Sequence, residues 1–375
     1  MNKSSKKKLD FKQYIGIAFM FVLGGVLGYL LIHCIDTYIA EKTLYEVTLL
    51  YLLFIIVMYG AYFLHMIIHE AGHLIFGLLT GYKFRSFRIL SFMLLKDKEK
   101  LKLRRLSIVG TGGQCIMMPP DIKNGKMPFL LYNLGGSFLN VIASVLPLVI
   151  YFGYNDSPFL LIFAVIGFIA ALTNGVPMRT STINNDGYNA LAISKSNEAL
   201  EAFWVQLKVA EQNSNGLRIK DMPAEWFEVP TDESMKNSIV ATRGVYACNR
   251  LMDEEKFSEA DALMKHILEI DSGIVGVHRN LLICDRIYVE LIFENREDVI
   301  KNMLTKEQKK FMKAMKSFPS VIRTEYALAL FFEKNKAKAE KIKKEFEKVA
   351  KTYPYAHEID SERDLMKIAE GKFLA

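Results

Sequence analysis

Residues 69–73 read His-Glu-Ala-Gly-His within a run of apolar residues. On an α-helix, side chains four apart share a face, so His69 and His73 can grip one ion. Glu70 lies beside them, placed to take a proton from water. Zinc suits such a pair of imidazoles, and it lowers the pKa of a bound water to about 7. Together these residues can hydrolyse an amide, with Glu70 passing the proton on to the leaving amine. The bare HExxH spacing recurs by chance in many chains. Its setting adds weight, because two histidines and a glutamate inside an apolar span are costly and default to a functional reading.

A catalytic zinc site needs a third protein ligand and keeps its fourth position open. His65 stands one turn before His69. Along the helix axis it lies about 12 Å from His73, too far for three rings to share an ion. It reads as a supporting or packing residue. Residues 135–140, GGSFLN, place Gly135 and Gly136 where another helix could approach closely, with Asn140 at the same buried level. NNDG at 184–187 sets Asp186 in a polar loop, and an Asp-Gly pair taken alone is a turn. Asp121, after Pro119 and Pro120, is the rival carboxylate.

The elements that must position these residues show in the hydropathy. Over 375 residues, 51% hydrophobic and 24% charged describe an ordinary soluble protein, but the average hides two halves. From about Phe11 to Met178 several runs are long enough to cross a bilayer, which takes about 20 residues each. They fall at about Tyr14–Ile35, Val47–Leu79, Phe129–Phe152 and Pro158–Pro177. The first follows a basic segment like that of a signal peptide, but it is too long for one and reads as a retained anchor. The second outruns a hydrocarbon core of about 30 Å and must tilt, break or emerge, with Gly60 as one place to break. Lysine and arginine concentrate before the first run and between Lys83 and Arg105. By the positive-inside rule both segments, and therefore both termini, are cytoplasmic. That role accounts for the basic residues without nucleic acid, although the formal charge is +7. Cys34, Cys115, Cys248 and Cys284 form no CxxC pair, which argues against a disulfide framework or a cysteine zinc site.

Between the second and third runs, FRSFRILSFMLLKDKEKLKLRRLSI alternates apolar and polar residues about a charged centre, KDKEK. The pattern predicts a β-hairpin, without an Asn-Gly or Asp-Gly pair to fix its turn. HExxH on one span, a glycine pair followed by asparagine on the next, and Asp-Gly after a third resemble the site-2 protease family of intramembrane metalloproteases. The resemblance covers about residues 47–190. It implies that His69, His73 and Asp186 bind zinc (Zn2+), that Glu70 is the general base, and that Asn140 orients substrate or stabilises the oxyanion. The hairpin is similar to the membrane-associated β-loop with which that family receives substrate. The family usually has proline before the aspartate; here Asn185 stands there, and Pro177 lies further upstream. No PDZ-sized insertion separates the spans.

From about Ser194 the chain is charged and amphipathic. Helical spacing of apolar residues predicts a pair at about Ser238–Met252 and Lys256–Ile270. YACNRLMDEEKFSEADALMKHILEID resembles one tetratricopeptide repeat, and a generic helical bundle fits the pattern nearly as well. The expected fold is therefore an all-α membrane domain over 1–193, with four transmembrane helices and a short cytoplasmic β-hairpin. A helical linker over 194–235 and a cytoplasmic helical-repeat domain over 236–375 follow. The resemblance implies an intramembrane zinc endopeptidase in the cell membrane, acting on a membrane-anchored protein or leader peptide; the helical-repeat reading adds a cytoplasmic protein partner for the C-terminal domain. The rival reading is a catalytically silent membrane scaffold with a structural zinc site and partner-binding helices. An intact Glu70 speaks against it, since a structural site needs no base.

Overall fold

A computed structural model describes residues 11–97, 100–154, 156–179 and 182–374. The chain divides into two compact units. One holds the chain up to Gly81 with Pro128–Thr180 and Asn184–Leu191, the other Tyr82–Met127, Ser181–Ile183 and Ala192–Ala375.

The first unit is built from α1 (Phe11–Ile39), α2 (Leu44–Leu79), α3 (Leu130–Gly153), α4 (Pro158–Gly175) and the short α5 (Asp186–Ile193). Met20–Ile39 and the whole of α2, α3 and α4 are long and apolar enough to cross a membrane. These agree with the four runs read from sequence. A Thr43–Glu46 capping box starts α2, with each residue's side chain meeting the other's backbone N–H. The helix then continues for 36 residues through Gly60. Of the options for so long an apolar run, a break at Gly60 is therefore not taken. Its large apolar side chains, among them Leu52, Ile56 and Tyr59, stay exposed along much of its length. Leu27 and Cys34 of α1 pack on Leu161 and Val165 of α4.

The second unit carries an antiparallel sheet of β1 (Lys83–Ile89), β2 (Phe92–Asp97), β3 (Lys100–Arg105) and β4 (Gly113–Met118), in the order β3-β2-β1-β4. The hairpin expected about KDKEK is β2–β3, with Asp97 opposite Lys100 and Phe92 opposite Arg105. It forms half of a larger sheet. β1 turns into β2 through Leu90, whose φ of +53° is one that leucine rarely adopts. No glycine or asparagine marks that turn in the sequence. Arg88 and Ser86 of β1 lie opposite Met93 and Leu95 of β2 on the buried face. Met93 and Leu95 join a core with Met235, Val245, Cys248 and Met264.

The helices of that core follow in order. α6 (Asn197–Asn215) runs from its Ser196 cap to Gly216, whose φ of +92° ends it. Short 3-10 turns at Ile219–Asp221, Ala224–Phe227 and Ser234–Lys236 lead on. Met222 and Phe227 pack there on Val205 and Val209, so the stretch expected as a linker contributes core. Then come α7 (Ser238–Asp253), α8 (Phe257–Glu269), α9 (Gly276–Ile292), α10 (Glu297–Met303), α11 (Lys306–Ala314), α12 (Pro319–Ala327), α13 (Lys336–Ala350) and α14 (Ala356–Leu374). α7 and α8 are the helical pair anticipated from residue spacing. Cys34, Cys115, Cys248 and Cys284 are buried as free thiols.

Candidate metal centre

His69 and His73 project from one face of α2, and Asp186 reaches them from the first turn of α5. Their donor atoms all lie within 4.8 Å of one another. Nε2 of His69 is 2.9 Å from Oδ2 of Asp186, and Nε2 of His73 is 3.4 Å from that oxygen. The two Nε2 atoms are 3.2 Å apart. Ligands bound to zinc at about 2.0–2.1 Å in a tetrahedron stand about 3.3 Å from one another. The three separations bracket that edge, so the three donors lie close enough together to hold one metal ion. Asp186 brings a negative charge. Burial works against its ionisation, but His73 and His69 beside it, while they carry protons and not a metal, hold its carboxyl well below the usual range.

Each donor has its own support. Nδ1 of His73 is 2.7 Å from the carbonyl of Tyr132, which can only accept. That nitrogen therefore carries the N–H of a neutral ring and leaves the Nε2 lone pair free. His69 is held by a longer chain. Nε2 of His65 lies 3.0 Å from the carbonyl of Phe163, so a neutral His65 is protonated there and its Nδ1 accepts. The side-chain amide of Asn140 bridges Nδ1 of His65 at 3.2 Å and Nδ1 of His69 at 3.4 Å. The two ends of an amide are told apart by their partners. As placed, Oδ1 faces Nδ1 of His65 and Nδ2 faces Nδ1 of His69. Exchanging the two ends, as protonation of His65 at Nε2 asks, lets the oxygen accept from Nδ1–H of His69 and leaves Nε2 of His69 open. In that orientation a main-chain carbonyl on α4 governs the tautomer of His69 on α2.

Asp186 is fixed by the residue before it. Oδ1 of Asn185 accepts from the backbone N–H of Tyr188 and of Met178, both at 2.9 Å. Its Nδ2 donates to the carbonyls of Thr173 and Val176. Asn185 thereby caps α5 and ties it to the end of α4, holding the turn where the resembled family has proline. A Cβ at Gly187 would come within 3.0 Å of the nitrogen of Pro177, so the Asp-Gly pair sits where only glycine fits without displacement.

Glycine also sets the spacing of α2 and α3. A Cβ on Gly72 would fall 2.7 Å from Cα of Gly136, and one on Gly135 would fall 2.6 Å from the carbonyl oxygen of Gly72. At Gly136 it would meet the ring of His69 at 2.5 Å. Gly135 and Gly136 therefore do allow the close helix approach read from GGSFLN.

The structure brings His69, His73 and Asp186 together. Glu70 is buried beside them on α2, and Asn140 lies fully buried against His69. His65, read from sequence as a supporting or packing residue, proves to be bonded to Asn140. Asp121 is exposed in the second unit, outside the donor group. Two roles had no sequence signal strong enough to find them. One is the capping by Asn185. The other is Ser137, a buried hydroxyl one residue past the glycine pair that has no hydrogen-bond partner among the described residues. Compared with known protein families, with curated proteins and with solved structures, the chain matches none.

Proposed function

We propose that the chain is a zinc-dependent endopeptidase that works within a membrane on a membrane-anchored protein or leader peptide. The observation that carries this reading is the donor triangle. Residues 117 apart in sequence, His69 and Asp186, meet His73 at separations suited to one tetrahedral ion. A bound zinc would supply a Lewis acid and lower the pKa of water to about 7.

The remaining chemistry belongs to the chain. Glu70, only 6% exposed and next in sequence to a ligand, takes the proton from the attacking water and returns it to the leaving amine. Asn140 positions His69 in the tautomer that leaves Nε2 open, a role its complete burial favours over contact with substrate. His73 is oriented by the Tyr132 carbonyl. The apolar helices would place the site in the bilayer of a multi-pass cell-membrane protein, with both termini cytoplasmic by the distribution of basic residues. The second unit, with helix pairs such as α7–α8 of tetratricopeptide size, would recruit or regulate.

The test pairs zinc per chain, by elemental analysis, with cleavage of a transmembrane reporter. Glu70→Gln should keep zinc and lose cleavage, His69→Ala should lose both, and Asp186→Asn should weaken zinc and cripple turnover. Native-rate cleavage by Glu70→Gln would overturn the protease reading. Full zinc and activity in Asp186→Asn would overturn the third ligand.

A further inference from the structure

The second unit encloses a cavity of about 300 Å³, walled by α6, α7, α9, α12 and α14. Its wall holds groups that the unit itself does not satisfy. Arg323, on α12 and 1% exposed, donates from Nε to Glu362 at 2.9 Å and from Nη2 to Asp285. Its guanidinium lies over the ring of Tyr288 at 4.3 Å. Nη1 has no hydrogen-bond partner among the described residues, and buried polar atoms rarely go without one. Nδ1 of His278, on α9, is likewise unpartnered in the same wall.

The charges do not balance either. Arg323 is matched by Asp285 and Glu362, and Arg218 by Asp253 and Asp364. Glu358 on α14 has no cation paired with it among the described residues. Its carboxylate accepts from the Tyr353 hydroxyl at 2.8 Å and from Nδ2 of Asn213 at 2.9 Å. Burial raises its pKa to about 7, with Glu362 adding to the effect and the Tyr353 bond opposing it. Four carboxylates (Asp253, Asp285, Glu358, Glu362) and two guanidiniums (Arg218, Arg323) line the cavity. Tyr246, Tyr353 and Tyr355 line it too, and aromatic faces attract cations.

The cavity therefore lacks a cation for Glu358 and an acceptor for Nη1 of Arg323. A metal ion answers only the first need. Inorganic phosphate answers only the second and would face the excess of carboxylates. An ammonium with a carbonyl on the neighbouring carbon answers both. We propose that this cavity binds the α-ammonium group and adjacent carbonyl of an amino acid or of the first residue of a short peptide. Glu358 and the tyrosines take the ammonium, Arg323 takes the carbonyl oxygen, and apolar wall residues such as Val209, Leu281 and Phe318 take the side chain. The volume lies at the lower end for small-ligand sites. This inference does not rest on the metal centre.

The test uses the full chain in detergent and affinity selection with mass spectrometry. One arm offers a pool of tripeptides randomised at all three positions with free amino groups, a second the same pool N-acetylated, and a third the free amino acids. The expected result is retention from the first or third arm, which tells peptide from amino acid, and none from the second. Glu358→Gln, which keeps the side chain's shape, should cut retention about tenfold or more, the scale of a charge-assisted hydrogen bond. Equal retention of acetylated and free pools, or no retention from any arm, would overturn the proposal. Those comparisons are made on the native chain, so they decide the matter even if Glu358→Gln does not fold.

Discussion

Truncating Asn140 to alanine tests how His69 is held for the proposed metal ion. With the amide turned so that its oxygen accepts from Nδ1–H of His69, Asn140 favours the tautomer whose Nε2 is unprotonated. Without it the two tautomers of His69 draw close in energy, and part of the population presents a protonated Nε2 that cannot bind zinc. Removing the partner of a ligating histidine weakens metal affinity about 10–100-fold. The Asn140–His69 contact is long, at 3.4 Å, which places the expected loss at the lower end. About 10–30-fold corresponds to about 1.4–2 kcal/mol. The same change leaves Nδ1 of His65 without its donor, and an unpaired buried group costs about 1–3 kcal/mol of stability. Unfolding is therefore followed in parallel. His65→Ala cuts the chain at its far end and leaves the amide on His69, so it should weaken zinc less than Asn140→Ala does. The assay is zinc competition against a chromogenic chelator in detergent at fixed pH. Zinc affinity in Asn140→Ala within about twofold of the native value would refute the reasoning, well below the loss expected for such a partner. So would a larger loss in His65→Ala than in Asn140→Ala.

The second unit should lose stability as pH rises from about 4.5 to about 7. Glu358 is raised from 4.5 to about 7, so its folded form holds a proton that the unfolded chain has released in that window. Its contribution is complete below 4.5 and lost as pH passes 7. Glu362 and Asp285, facing the same cavity, are raised by burial and act in the same sense. His278, pushed down to about 4 by burial, acts in the opposite sense between about 4 and 6.5, so the difference between native chain and Glu358→Gln, not the native slope alone, carries the prediction. Thermal unfolding across this window should show the slope, and Glu358→Gln should flatten it; an unchanged slope in that variant would exclude Glu358 as its source. The other prediction concerns the sheet. A fragment of residues 192–375 should be poorly packed, because it lacks Met93, Leu95 and Leu106, each buried in the helical core. At about 1.5–3 kcal/mol per buried side chain, their loss rivals a whole domain's stability of about 5–15 kcal/mol. Joining residues 82–127 to the fragment should restore cooperative unfolding by circular dichroism, and equal cooperativity without them would show the strands to be dispensable.

Much of the helical architecture was legible because apolar length is a coarse signal that survives local variation. Pro158 marks the start of α4 in both sequence and structure, and the end of α2 at Leu79 was read to the residue. What stayed hidden depends on backbone that the residue types do not announce. The β1–β2 turn runs through a leucine at positive φ, and β1 buries two arginines and a serine where alternation leads one to expect apolar side chains. Arg88 is admitted because its guanidinium finds the carbonyls of Leu90 and Gly113 and the hydroxyl of Thr111. Those partners come from the turn and from β4, and a single strand's pattern contains neither.

For the site, the legible part was the residues on one helix, where a spacing of four fixes a common face. Asp186 came from resemblance, since an Asp-Gly pair alone says turn. The structure explains how proline can be absent before it. Proline stiffens a turn through its ring, whereas Asn185 stiffens this one through four hydrogen bonds, two accepted and two donated. Such a device is less tolerant of substitution, because aspartate at 185 could keep the two acceptances but not the two donations to Thr173 and Val176. The carboxylate of Asp186 is then aimed by backbone on one side and by imidazoles on the other. On the helix side, Gly136 leaves the room that the His69 ring fills, and the carbonyls of Tyr132 and Phe163 determine where the ring protons of His73 and His65 lie. Of the three donors only His73 is oriented directly by a main-chain carbonyl, that of Tyr132; His69 and Asp186 depend on the side chains of Asn140 and Asn185.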